Sequence, residues 1–275
     1  MTLLELLNKT TEFFEKRQLA SARLQAESIT AHVLNQPRLS LYLQFDRPMQ
    51  DAELNALRPL VRRRADGEPL QHIIGHTEFF GLQLACSPDA LIPRPETEGL
   101  VERVIASLEN KPPGRLLDVG TGTGAIALAC AKALPEWKVH AVEPSAGALA
   151  LARRNAECFP DIHVEWHEGE FMGDSLPCPD AVVANLPYLT PVEMESLSPE
   201  VRHDPESALH GGEDGLDLIR QLIRCFPMKV GHCFLEIGIQ QGEKVHQLLA
   251  EAGFSRIAIE EDWNGCVRYA IGTRH

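Results

Sequence analysis

Asp118-Val119-Gly120-Thr121-Gly122-Thr123-Gly124 stands between a short apolar run, Arg115-Leu116-Leu117-Asp118-Val119, and a helix-periodic stretch over residues 125–134. The run reads as a strand and the stretch as a helix, so the glycines occupy a strand-to-helix turn. Glycine lets the chain turn tightly there and lets a ligand approach the backbone. A plain tight turn would use the same glycines, so the flanks decide. Residues 138–142 form the next strand, and Glu143 ends it. A carboxylate at that place can accept hydrogen bonds from both hydroxyls of a nucleoside ribose. Strand, glycines, helix and strand-end acid together predict a nucleoside-bearing cofactor on a parallel sheet.

Outward from this centre the chain keeps alternating. A helix is expected over 145–158, strands over 162–166 and 181–184, a helix over 214–225, a strand over 233–237 and a helix over 243–252. Two last strands, 256–260 and 267–272, follow with no helix between them and suit an antiparallel edge pair. Such alternation predicts an α/β, Rossmann-like domain with helices on both faces of the sheet. Upstream, Thr2 can cap a helix carrying Leu3, Leu6, Leu7, Phe13 and Phe14. Further helices are expected over 21–35 and 51–64, the latter broken or kinked at Pro59. Arg62, Arg63 and Arg64 read as a solvated helix end favoured by the helix dipole. Ile73-Ile74-Gly75 and the run from Phe79 to Leu84 read as a hairpin, and a helix opens near Pro95. The expected organisation is a helical domain over 1–68, a hairpin linker over 69–93 and the α/β domain over 94–275.

Charge narrows the cofactor. A dinucleotide site favours Gly-x-Gly-x-x-Gly with a phosphate on the helix N-terminus. Here the spacing is Gly-x-Gly-x-Gly, and Asp118 precedes it. An acid in that place suits a cation better than a pyrophosphate, which points to S-adenosylmethionine, with its ammonium and sulfonium and no phosphate. Phe171, after Gly169-Glu170, can stack on adenine or serve as a core aromatic, and Glu170 can approach the adenine amino group.

Asn185-Leu186-Pro187-Tyr188 follows the apolar strand 181–184. An amide or aromatic amine nitrogen is a poor nucleophile because its lone pair is delocalised. The Asn185 side-chain oxygen and the Leu186 carbonyl can each accept one of its N–H bonds, which aligns it and supports developing positive charge. Pro187 holds Leu186 extended, and Tyr188 can supply a flat wall.

Other classes are disfavoured. The sequence has 39 Asp+Glu against 26 Lys+Arg, a net charge of -13, and no nucleic-acid partner is expected of such a chain. No apolar run reaches the length of a membrane span, and Met1-Thr2-Leu3-Leu4-Glu5 lacks the cationic start of a secretory leader. The seven cysteines are scattered with no Cys-x-x-Cys, and His72 with His76 gains no further ligand at metal-site spacing. A reduced cytoplasmic protein without a metal is expected, acting as a monomer.

These residues resemble the peptide chain release factor glutamine methyltransferases. The resemblance spans nearly the whole chain. It includes residues 64–75 and the segment Leu91-Ile92-Pro93-Arg94-Pro95-Glu96-Thr97-Glu98. It also includes the glycine run, the Asn-x-Pro-Tyr loop, Ala208-Leu209, Gly211 to Leu216 and Leu235-Glu236-Ile237-Gly238. It implies a class I methyltransferase domain and a helical domain that helps grip the release factor. It implies cofactor contacts at Gly120, Thr121, Gly122, Thr123, Gly124, Glu143, Phe171 and Asn185. Substrate contacts are implied along Asn185, Leu186, Pro187 and Tyr188, with the glutamine of a Gly-Gly-Gln motif as acceptor. Two positions depart from the family pattern: Leu186 stands where proline is usual, and Asp204 where glutamate is usual. Three rival readings are a ribosomal-protein glutamine methyltransferase, a ribosomal RNA adenine methyltransferase with a similar loop, and a binding module without turnover.

Overall fold

The structure is a computed structural model that describes residues 1–170, 176 and 178–274. The chain forms two compact units, Met1–His76 with Ser198–His203, and Thr77–Leu197 with Asp204–His275.

The smaller unit is helical: α1 (Leu3–Glu15), α2 (Ala22–Val33), a 3-10 turn (Arg38–Leu43), α3 (Asp51–Ala65) and α4 (Leu70–Ile74). Thr2 caps α1 as expected; its hydroxyl accepts from Glu5 N at 3.2 Å while the Glu5 carboxylate accepts from Thr2 N at 3.0 Å. Leu3, Leu7, Phe14, Ile29 and Leu41 form the buried centre. Three expectations change here. Helix α3 runs unbroken through Pro59, whose missing N–H removes one backbone donor, and the Glu53 carboxylate accepts from Gln50 N at 2.9 Å at its start. Arg64 is buried rather than solvated, with its guanidinium bonded to Gln25, the Glu68 carbonyl and Glu200. Ile73 and Ile74 are helical, because Leu70, Ile73 and Ile74 at helical spacing pack on the helical core. Gly75, at φ 80°, ends α4 in the left-handed region.

The hairpin is therefore shorter than expected: β1 (His76–Phe79) and β2 (Leu82–Ala85). Phe80 at φ 49° and Gly81 at φ 67° turn it, both left-handed as a two-residue hairpin loop requires. Helix α5 (Pro95–Leu108) follows, with proline in its first turn. Then come β3 (Arg115–Val119), α6 (Ala125–Ala133), β4 (Lys138–Glu143), α7 (Ala146–Glu157), β5 (Val164–Glu168) and β6 (Ala181–Asn185). The short α8 (Pro191–Glu195), α9 (Asp217–Arg224), β7 (His232–Glu236), α10 (Gly242–Glu251), β8 (Arg256–Glu261) and β9 (Val267–Thr273) complete the fold.

The seven-stranded sheet has the order β5-β4-β3-β6-β7-β9-β8, parallel except at β9, which pairs antiparallel with β7 and β8. Successive residues of the central strands serve opposite faces. Leu116, Ala181 and Val183 join a core with α5 and α6, while Leu117, Val182 and Ala184 join one with α9 and α10. Both faces are buried, so the strands read as continuous apolar runs. The chain leaves β3 outward through β4 to β5, then returns to lay β6 on the other side of β3. The direction of winding reverses there, which opens a crevice beyond the carboxyl ends of β3 and β6.

Candidate active site

A cavity of about 480 Å³ occupies this crevice, a size typical of small-molecule sites. Gly120, Gly122 and Gly124 all lie in the left-handed region, at φ 71°, 55° and 82°. Only glycine adopts three such angles on alternate residues without strain, which is why the sequence reads Gly-x-Gly-x-Gly. Gly120 N and Thr121 N both donate to the Val142 carbonyl, at 2.9 and 3.2 Å, and anchor the loop to β4. Gly120, Thr121, Gly122 and Thr123 line the cavity; Gly124 is buried behind them, where an added Cβ would meet the Trp166 ring at 2.9 Å.

Glu143 lines the cavity from the end of β4. One carboxylate oxygen accepts from Gly122 N at 2.9 Å and the other from Ser145 N at 3.0 Å. A carboxylate has about four acceptor sites, so two stay open to ligand hydroxyls. Asp118 does something different from what its sequence position suggested. It is fully buried and absent from the cavity wall. Its Oδ2 accepts from Thr121 Oγ1 at 2.5 Å and from Ala127 N at 3.1 Å, so it braces the glycine loop against the first turn of α6. Its Oδ1 is buried without a partner, and burial lifts its carboxyl to about 7.

Asn185, Leu186 and Pro187 reach the same cavity from the end of β6. Asn185 Nδ2 donates to Thr97 Oγ1 at 3.1 Å, which leaves the amide oxygen as its open end. The Leu186 side chain is buried in the core that α9 and α10 complete. Tyr188 is not part of the cavity wall. Its hydroxyl donates to Glu236 at 3.4 Å and accepts from Arg268 at 3.3 Å, and burial pushes its ionisation upward. The loop is strapped from behind. Gln241 Nε2 donates to the Tyr188 carbonyl at 2.9 Å, and Leu189 exchanges backbone bonds with Leu209 and Gly211. Gly211 sits so close that a Cβ would lie 2.6 Å from the Pro187 carbonyl oxygen and 2.7 Å from Tyr188 Cα.

Sequence reasoning assigned no atoms to the segment leading into α5, yet Leu91, Pro93 and Arg94, with Thr97 in the first turn of α5, line the cavity. Arg94 pairs with Asp204 at 2.5 Å, and Asp204 also accepts from Ile92 N at 3.2 Å. Aspartate, one methylene shorter than the usual glutamate, therefore still ties this segment to the neighbouring Pro205, Ser207 and Ala208 wall. Gly169 and Glu170 line the cavity too; Phe171 lies outside the described residues. Among the described residues, one His/Glu group brings ligand atoms within 4.8 Å of one another: His140, Glu165 and His167 on β4 and β5. His140 and His167 contact each other at 3.2 Å, and none of the three lines the cavity.

Known proteins share both parts of this chain. Residues 5–75 match the family model of the PrmC N-terminal domain, and residues 116–203 match a methyltransferase domain. A release factor glutamine methyltransferase of Geobacter sulfurreducens is 39% identical over 278 residues, covering 98% of this chain and 96% of its own. Another, of Coxiella burnetii, is 35% identical over 92% of both chains. Among solved structures, the hMettl16 catalytic domain in complex with a MAT2A 3′UTR hairpin has a TM-score of 0.58 at 18% identity. That match covers 84% of this chain and 83% of the other, and it is a likeness of fold.

Proposed function

The chain belongs to the release factor glutamine methyltransferase family, and from that footing we propose that it methylates the side-chain amide nitrogen of the glutamine in a release factor's Gly-Gly-Gln motif. The methyl donor in this reading is S-adenosylmethionine. The observation that carries the reading is the meeting of Asn185 and Glu143 in one cavity beyond β6 and β4. One end offers acceptors to a nucleoside and the other offers an acceptor to an amide N–H. The relatives favour this acceptor over a ribosomal protein or ribosomal RNA.

The residues fit the donor. Gly120 and Gly122 present backbone without side chains to the cavity, and Glu143 keeps lone pairs for two ribose hydroxyls. Phe171 remains the proposed adenine contact. When bound, S-adenosylmethionine supplies a methyl group already activated by a positive sulfur. The chain does the rest by orientation. Asn185 Oδ1 and the Leu186 carbonyl accept the two N–H bonds of the substrate amide and support its growing positive charge. No general base is needed beforehand, since the proton can leave after the methyl has moved. Tyr188, with its hydroxyl tied to Glu236, stiffens the loop from behind the cavity wall rather than forming a wall of it. The helical region 1–68 helps grip the release factor. The enzyme acts in the cytoplasm as a monomer, and its net charge of -13 supports a protein rather than a nucleic-acid partner.

The test is methyl transfer from labelled donor to a purified release factor and, in parallel, to its Gly-Gly-Ala variant. Label on the first alone is expected. Label on neither, with donor binding intact, would move the acceptor elsewhere.

A further inference from the structure

The segment Leu91 to Glu98 has no chemical role in the reading above, yet it supplies the atom that holds Asn185. Asn185 Nδ2 donates to Thr97 Oγ1 at 3.1 Å, and Thr97 Oγ1 donates to Glu236 Oε2 at 2.7 Å. Thr97 and Glu236 are 5% and 3% exposed, so water does not compete for these bonds. Register brings the parts together: Asn185 on β6 pairs directly with Glu236 on β7, and Thr97 comes from the first turn of α5. Tyr188 and Arg268 complete the chain on the other carboxylate oxygen.

We propose that Thr97 and Glu236 are positioning residues that decide which end of the Asn185 amide meets the acceptor nitrogen. This rests on the methyl-transfer reading. A hydroxyl has one proton. With Glu236 taking it, Thr97 Oγ1 has only lone pairs to offer Asn185, so it binds the NH₂ end. The oxygen end is then the one left for the cavity that Asn185 lines. Turned over, the amide would set its own N–H bonds against those of the substrate, donor against donor, and the acceptor nitrogen would lose one of its two guides. The polarity of the site is thus set one and two residues behind it. Thr97 and Glu236 need not touch the substrate to do this.

The test uses the full chain. Thr97→Val removes the hydroxyl at nearly constant shape, and Thr97→Ser restores it. Thr97→Val is expected to lower kcat by roughly 10- to 100-fold, the range for losing a partner that orients a site ligand. Thr97→Ser should stay within about threefold of wild type, and the loss in Thr97→Val should fall on kcat more than on donor affinity, because the Thr97 hydroxyl is taken up by Asn185 and Glu236. In an Asn185→Ala background Thr97→Val should add less than about twofold, since it acts only through Asn185. A separate reading needs no turnover: in isotope-labelled wild-type protein the Asn185 side-chain NH₂ should show slowed hydrogen exchange. That slowing should vanish in Thr97→Val and persist in Thr97→Ser. An unprotected Asn185 NH₂ in wild type overturns the proposal, as does a Thr97→Val variant with near-normal kcat or a full additive loss on Asn185→Ala. Absence of transfer to a release factor by wild type would instead strike the proposed substrate and leave the NH₂ measurement standing.

Discussion

Glu143→Gln separates two jobs that one carboxylate performs. Each oxygen of Glu143 takes a backbone donor, Gly122 N at 2.9 Å and Ser145 N at 3.0 Å. A glutamine amide keeps one oxygen, so its NH₂ must face one of those donors. The unpaired N–H, beside a side chain only 7% exposed, costs about 1–3 kcal/mol of stability. At roughly 2–4 °C per kcal/mol for a domain of this size, the melting point should fall by several degrees. The donor should also lose one charge-assisted hydrogen bond from its ribose, worth about 1.5–3 kcal/mol. That weakens its dissociation constant by roughly 10- to 150-fold. Titration calorimetry with S-adenosylmethionine reads the second effect and thermal unfolding without ligand reads the first. A lowered melting point with affinity unchanged would mean that Glu143 only braces the glycine loop. Neither effect would refute the hydrogen-bond reasoning altogether.

Three more outcomes are expected. Asn185→Ala should cost about 10²–10³ in turnover with donor affinity nearly unchanged, the range for removing one positioned hydrogen-bonding group; steady-state kinetics on a folded variant would contradict this if the loss were under about tenfold. Gly211→Ala places a Cβ 2.6–2.8 Å from three backbone atoms, Pro187 O, Tyr188 Cα and Gly215 O. None of these can rotate away, so the Pro187–Tyr188 loop must shift, and activity should fall much further than donor affinity does. Asp118 holds its proton more tightly folded (about 7) than at its ordinary 3.8, so its contribution to stability is full below pH about 4 and is lost as pH rises towards 7. Asp118→Asn should therefore gain stability relative to wild type between pH 5 and 8 in denaturant titrations, and a pH-independent difference would count against the buried, protonated carboxyl.

The sheet and its glycine turn were legible because their signals are local. Continuous apolar runs on β3 and β6, glycines on alternate positions and an acid at the end of β4 each lie within a few residues. Asn185 was legible for the same reason, as the polar residue that ends an apolar strand. Thr97 and Glu236 were not, because 139 positions separate them and only the packing of α5 on β7 joins them. Asp118 was misread in kind: a carboxylate beside glycines suggested a ligand, but Thr121, three residues on, supplies the nearer partner. Ile73 and Ile74 failed for another reason. Their β-branched side chains favour a strand locally, and burial against the helical core outweighed that preference. Arg64 lost its solvated reading to a buried carbonyl and two side chains that no spacing rule announces.

The direct pairing of Asn185 with Glu236 has a consequence for how this site can vary over time. Their alignment depends on the hydrogen-bond ladder between two strands and not on the length of chain that joins them. Insertions or deletions in the connection between β6 and β7 can reshape what the crevice admits while the amide and its support stay in place. Acceptor preference can thus drift from one lineage to another at little cost to the transfer step. A slip of a single ladder position would instead turn Glu236 to the opposite face of the sheet and abolish both at once.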